Sequence, residues 1–337
     1  MPARPRRPWD LPDAGLLEWR LCDLPLRIEG TWLEELVARL HREMAARGLR
    51  FRPHCWLSNE WFSPDGVPGI AIPFYLAHPR LMALERAQML DVEGGTREAC
   101  LRILRHEAGH TMDAAYRLRR RADWRRQFGS PAQRYPTHYR PRPYSRRFVL
   151  HLEWWYAQSH PLEDFAETFA VWLRPRARWR TQYAGWPALQ KLEFVDALMA
   201  EVGREAPIVR SRQHVDALKG MRRTLGAHYE AKRRAYGLDI AGVTDRDLRR
   251  LFDEEGGRES AAAFLRRHAK ELREQVARWT GQHVYTIEQL LREMTRNCVR
   301  LRLRRAGGER HARLGAAVLL TARVMDYLHR RGREVTL

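Results

Sequence analysis

Apolar positions recur at helical spacing over most of the chain. Leu33, Leu36, Val37, Leu40 and Met44 share one face. Thr31 and Glu34 form a capping box ahead of them, and Gly48 ends the run. The next predicted helix follows the N-cap Thr96, with Leu101, Leu104, Ala108 and Ala115 facing a core as far as about Arg121. Another opens on the first-turn Pro161 and stops near Leu173, before Pro175. From Pro187 onward the period is helical almost throughout, with candidate helices at 187–202, 213–236, 244–255, 258–279, 286–304 and 311–331. One stretch departs from this rhythm. Ile70, Ile72, Phe74 and Leu76 alternate as a strand does, after the turn signal Pro64-Asp65-Gly66. Pro73 inside the run demotes it to an edge strand, open to an extended peptide.

The pattern predicts an α+β first part followed by an all-α helical region. Residues 1–29 are Pro- and Arg-rich and read as a loosely packed arm. Residues 30–200 form the main domain. Gly203, Pro207 and Ser211 interrupt the pattern and separate it from a helical domain at 201–337. There is no internal repeat.

Composition narrows the classes. Of 337 residues, 44% are hydrophobic and 12 are Trp, which is enough for a packed core and excludes a wholly disordered chain. No run reaches the length of a membrane span, and no apolar segment follows the N-terminal cations. Cys22, Cys55, Cys100 and Cys298 are isolated. This spacing excludes a zinc ribbon and a disulfide framework, and with the missing leader it predicts a cytoplasmic protein.

Charge changes the picture more. The net charge is +20, from 61 Lys+Arg against 41 Asp+Glu. The excess is uneven. Eleven Arg and one acid lie between Arg117 and Arg147, whereas Phe148 to Leu173 holds no Lys or Arg and four carboxylates: Glu153, Glu163, Asp164 and Glu167. Such a gap in a basic chain asks for a local reason.

His106-Glu107-Ala108-Gly109-His110 supplies one. On a helix, residues i and i+4 are one turn apart on one face, so both imidazoles can reach a single metal ion. Glu107 lies beside them, placed to take a proton from water at that metal. A catalytic zinc takes three protein ligands and keeps an open position. Glu163 and Glu167, i and i+4 on the Pro161 helix, are the candidates for completing the set. Glu163, in the first turn, is assigned as the direct ligand. Glu167 is assigned to the far ring nitrogen of a ligating His. His160 has two readings: a cap for its helix, or a substrate contact.

These residues carry a family resemblance. The H-E-x-x-H helix with a downstream Glu-x-x-x-Glu helix resembles gluzincin-type zinc metallopeptidases. More narrowly, Trp61 to about Leu192 resembles the bacterial "putative zinc-binding metallopeptidase" family. The matching stretches are Pro73 to Pro79, Leu104 to His110, and Tyr156 to Phe169. The spacing is also similar to that of the catalytic domain of anthrax lethal factor, with a Tyr seven residues before the ligand Glu and a second Glu four after it. The resemblance implies a zincin-like fold for residues 30–200 and Zn2+ held by His106, His110 and Glu163. It also implies Glu107 as the general base, Tyr156 as donor to the oxyanion, and peptide-bond hydrolysis in a peptide or protein substrate. The amino-terminal Cys-rich ribbon of some family members is missing here, and the helical region after about residue 210 matches no known function.

Two rivals remain at the level of sequence. Two His and a carboxylate also suit non-haem Fe(II), but Glu107 would then be idle. Alternatively, the chain is a basic helical nucleic-acid- or polyanion-binding protein with a structural or degenerate metal site. In that case the Arg117–Arg147 loop grips phosphates, and Tyr116, Trp124, Tyr135, Tyr139 and Tyr144 stack on bases. A third reading joins the two: a peptidase whose cationic loop favours acidic substrates or partners.

Overall fold

The computed structural model describes residues 8–136, 138, 139, 141, 142, 144–236, 245–255, 257–305, 307–330, 335 and 336. The described residues are mostly helical with small two-stranded sheets, compatible with the α+β class. They form two compact units, Met1–Gln88 with Val92–His228, and Met89–Asp91 with Tyr229–Leu337.

In the first unit, α1 (Trp32–Ala46) begins as its sequence requires. The Thr31 hydroxyl accepts from the Leu33 N–H. Glu34 reaches the N–H of Gly30 rather than that of Thr31, one residue earlier than a capping box expects. Leu33, Leu36, Leu40 and Met44 are buried, and the helix ends at Arg47. Strands β1 (His54–Ser58) and β2 (Gly69–Pro73) pair in parallel, with His54 opposite Gly69 and Ser58 opposite Pro73.

The open edge expected at β2 is not there. All five of its residues are buried, and the Ala71 N–H donates to the carbonyl of Phe62 at 2.9 Å. The Trp61–Ser63 segment therefore covers that side, and Phe74–Ala77 leaves the strand as a 3-10 turn.

Helix α2 (Arg97–Tyr116) starts at Thr96, whose hydroxyl accepts from the Ala99 N–H, and ends at Arg117 in left-handed conformation. It is followed by α3 (Ala122–Phe128), α4 (Pro161–Leu173) and α5 (Ala188–Val202). The Arg105 guanidinium donates twice to Glu43 on α1, at 2.7 and 2.8 Å, so a fully paired ion pair is buried between α1 and α2. Helix α4 has every residue buried.

Two further expectations fail in this unit for physical reasons. The N-terminal segment is no loose arm from Leu16 onward, because Leu16, Leu21 and Leu24 are buried. Residues 213–224 form no α-helix, only a 3-10 turn at Leu218–Gly220. Their carbonyls are claimed from outside: Trp56 Nε1 donates to Val215, Ser58 Oγ to Asp216, and the Leu21 and Cys22 amides to Arg223 and Met221. A helix begins only at Leu225.

The second unit contains α6 (Asp245–Leu251), α7 (Ala261–Arg267), α8 (Ala269–Thr280), α9 (Val284–Arg300) and α10 (Glu309–Arg330). The helix expected over 258–279 starts instead at the Ser260 cap and breaks at His268. Phe252, Phe264, Leu272, Ile287, Leu290, Met294 and Leu320 lie in one apolar core. No helix among the described residues is long and apolar enough to cross a membrane.

Candidate active site

The site is built where α2 and α4 touch. Gly109, between the two histidines of α2, makes the close approach: a Cβ there would lie 2.7 Å from Ala166 Cα and 3.1 Å from the Ala166 carbonyl oxygen. Ala166 sits between Glu163 and Glu167 on α4. The two small residues therefore let the His face of one helix meet the carboxylate face of the other.

Three polar atoms converge there. His106 Nε2 and His110 Nε2 are 3.0 and 3.1 Å from the same oxygen, Glu163 Oε2, and 3.1 Å from each other. Tetrahedral ligands about 2.0–2.1 Å from zinc lie about 3.3 Å apart, so the set has the span for one such ion. His106 is also oriented from behind. Glu167 Oε1 faces His106 Nδ1 at 2.8 Å; a carboxylate only accepts, so Nδ1 carries the proton and Nε2 offers its lone pair. Glu167 Oε2 accepts from the Leu152 N–H at 2.8 Å. His106, His110 and Glu163 are the residues that could hold a metal ion.

The electrostatics fit a cation. Burial disfavours protonated His106, yet the Glu163 and Glu167 carboxylates outweigh it and raise the ring well above its usual range. His110 is raised too, against its burial, chiefly by Glu163. Burial pushes Glu163 up, but His110 and His106 win and hold it well below the usual carboxylate range. The cluster demands positive charge, and protons meet that demand when a metal does not.

Glu107 is buried and lines the adjoining cleft of about 300 Å³. The Ser63 hydroxyl donates to its Oε2 at 2.8 Å. Tyr156 lines the same cleft, its ring centroid 5.5 Å from that of His106. Burial and then Glu163 push its phenol well above the usual value, so it stays protonated. Its hydroxyl makes no protein hydrogen bond among the described residues. The two residues before it, Trp154 and Trp155, have φ of +62° and +54°. Left-handed backbone costs roughly 1–2 kcal/mol per non-glycine residue, and bulky side chains rarely adopt it. The turn is held in part by Tyr139, whose hydroxyl donates to the Trp154 carbonyl at 2.6 Å. This turn leads directly into Tyr156.

Of the two readings of His160, the structure gives the cap. Nδ1 accepts from the Leu162 N–H at 3.2 Å, and Nε2 donates to the Gln133 carbonyl at 3.0 Å. Both nitrogens are committed, which leaves neither for a substrate.

Three participants escaped the sequence reading. Ser63 holds Glu107. Tyr135 donates to Glu163 Oε1. Arg119 lines the cleft, bound to buried Asp113 and to exposed Asp65 at 2.9 Å. Ser63 and Arg119 carry no spacing signal. Tyr135 stood out only as one aromatic of a basic loop.

That loop does not resemble a base-stacking surface. Trp124 is 0% exposed, Tyr116 and Tyr139 are buried, and only Tyr135 and Tyr144 are open to solvent. Arg119 is paired as above, and Arg121 with Asp123 and Glu201. Thr137, Arg140 and Pro143 of the loop lie outside the described residues.

No curated protein and no solved structure matches this chain. Residues 86–228, which carry the paired histidines, Tyr156, Glu163 and Glu167, match the model of the family described as "Putative zinc-binding metallo-peptidase", the same family that the H-E-x-x-H stretch and the Tyr156–Phe169 stretch resemble.

Proposed function

We propose that the first unit is a zinc-dependent peptidase of gluzincin type with a zincin-like arrangement, acting on peptides or proteins. The supporting observation is the convergence of His106 Nε2, His110 Nε2 and Glu163 Oε2 within 3.0–3.1 Å, with Glu107 beside them on an open cleft. Zinc bound by these three would supply Lewis acidity, acidifying a water and polarising a carbonyl.

The chain's own groups do the rest. Glu107, with Oε2 fixed by Ser63, keeps Oε1 to take the proton of the attacking water and later passes it to the leaving amine. The Tyr156 hydroxyl donates to the oxygen on which negative charge develops, a contribution worth roughly 10²–10³-fold for one donor. Glu167 holds the His106 tautomer. Trp61, Phe62 and Leu162 give the cleft an apolar wall for a substrate side chain.

Glu107→Gln keeps the shape and removes the base. The variant should retain about one zinc per chain by metal analysis and lose hydrolysis of a proteome-derived peptide library by roughly 10²–10⁴-fold. Full cleavage by Glu107→Gln, or a freshly folded wild-type chain that takes up no zinc, overturns the reading.

A further inference from the structure

Glu163 has two oxygens, and they face different ways. Oε2 meets the two histidine nitrogens, while Oε1 accepts from the Tyr135 hydroxyl. Tyr135 comes from the irregular segment between α3 and α4, is 45% exposed as a residue, and still turns its hydroxyl into the cleft. Its ring lies flat on His160, with centroids 3.9 Å apart and planes 19° apart. His160 caps α4 through Nδ1 and ties the same segment down through the Gln133 carbonyl. The cap is three residues before Glu163. One imidazole therefore fixes both the start of the helix that carries the carboxylate and the phenol that grips it. An exposed tyrosine in a loop has no reason to be held at both its ring and its hydroxyl, on a segment itself tied down at Gln133, unless that hydroxyl must be in one place.

We infer that Tyr135 is a positioning residue for Glu163, braced by His160: it occupies Oε1 so that Glu163 presents a single oxygen, Oε2, to a metal ion. This rests on the proposed function above. A metal-binding carboxylate whose second oxygen is held by a hydrogen bond is restrained in orientation and hindered from taking a second coordination position. The open position that hydrolysis needs is thereby protected. Tyr135 differs in role from Tyr156, which lines the cleft and whose hydroxyl has no protein partner among the described residues.

The test measures metal affinity on the full chain by competition with a chromophoric chelator, using zinc, and the visible spectrum after Co(II) loading. Tyr135→Phe keeps the ring and its stack and deletes only the hydroxyl. It should weaken zinc binding by roughly 10–100-fold, the usual effect of losing a group that orients a ligand, and it should alter the Co(II) band. His160→Asn keeps a capping side chain but removes the stack. It should shift zinc affinity in the same direction by a smaller factor. Tyr156→Phe is the contrast: zinc affinity unchanged within twofold, turnover lowered. A merely structural Tyr135 would lower the melting temperature of the metal-free chain and leave affinity and spectrum alone. If wild type binds zinc and Tyr135→Phe binds it equally well, this inference falls and the peptidase reading stands. If wild type binds neither zinc nor Co(II), both fall.

Discussion

The two units treat charge in opposite ways. In the first, Glu43, Glu85, Arg105, His106, Glu107, Asp113, His160, Glu163, Asp164, Glu167 and His228 are all buried. In the second, the buried polar residues among those described are Thr280, Gln282 and Thr286, none of which is charged. The two threonine hydroxyls donate to the carbonyls of Val276 and Tyr236. The second unit is closer to what packing alone would select: amphipathic helices, an apolar interior, and ion pairs at or near the surface, of which Arg273–Glu288 and Arg323–Asp247 are the most enclosed. The first unit pays desolvation repeatedly, and stability does not require it, since buried ion pairs replaced by apolar residues are often neutral or better. Of this set, His106, Glu107 and Glu163 line the cleft, and perturbed titratable groups gathered in a cleft are the physical signature of a candidate functional site.

The largest effect expected from this contrast is at Lys191. Its ammonium lies 2.6 Å from Asp164 and 4.3 Å from the centroid of the Phe148 ring. Asp164 is the residue after Glu163, and burial raises its carboxyl to about 7 against the pull of Lys191. Lys191→Met leaves that carboxyl without its partner; because the carboxyl can take up a proton, the cost in urea unfolding at neutral pH should be roughly 1–3 kcal/mol. A raised carboxyl pKa means that the folded state holds the proton more tightly than the unfolded chain. Stability is then full below about pH 4 and falls as pH rises through about 7. The variant should therefore lose more at pH 8 than at pH 5. A loss below about 1 kcal/mol at both would show that burying charge in this unit is cheaper than argued.

Gly109→Ala tests the helix approach itself. Alanine favours a helix over glycine by about 1 kcal/mol, whereas overpacking costs about 1–3. With Ala166 Cα only 2.7 Å from the new methyl, the clash should win. We expect net destabilisation together with weaker zinc binding, because parting the helices moves Glu163 from the histidines. Equal zinc affinity in this variant would mean that the site does not depend on the close contact.

The sequence announces some of this and hides the rest. His106 and His110 share a face because helices repeat, and Thr96 and Pro161 mark where their helices begin. The meeting of α2 with α4 is therefore legible in outline, and the Lys/Arg-free stretch points to it. Ser63 and Tyr135 are invisible because a hydroxyl in irregular backbone has no period, and its partner is chosen by tertiary approach. Residues 213–224 mislead for a related reason: their apolar spacing is helical, but side chains of β1 capture the carbonyls a helix would use. The edge assigned to β2 from Pro73 fails because Phe62, nine residues before its partner Ala71 and part of no periodic pattern, returns to cover it.

A smaller effect separates the units by pH. His283 caps α9, its Nδ1 accepting from the Tyr285 N–H at 3.1 Å while its ring stacks on Tyr236. Burial lowers its pKa to about 4, with Asp91 opposing and Lys232 assisting. A lowered pKa for a base means stability that is present above the unfolded value of about 6.5 and is lost as pH falls towards 4. Protonation also converts the capping acceptor into a donor. Hydrogen exchange read by peptide should show α9 losing protection between pH 7 and pH 5. His283→Asn keeps a cap and should remove that dependence. An unchanged pH profile in the variant would assign the loss to other groups.

The smallest effect closes the comparison with one chemical pair in two settings. Arg249 and Glu254 are 3.0 Å apart in the second unit, with both side chains at least half exposed. Arg105 and Glu43 are 2.7 Å apart in the first and almost fully buried. Water already solvates the exposed pair, so Glu254→Ala should change unfolding free energy by less than about 0.5 kcal/mol, and less still in high salt. Glu43→Ala strands a guanidinium that cannot shed its proton and should be salt-insensitive and many times costlier. Equal losses from these two substitutions would mean that the units do not differ in how they carry charge, and the case for a purpose behind the buried set would weaken with them.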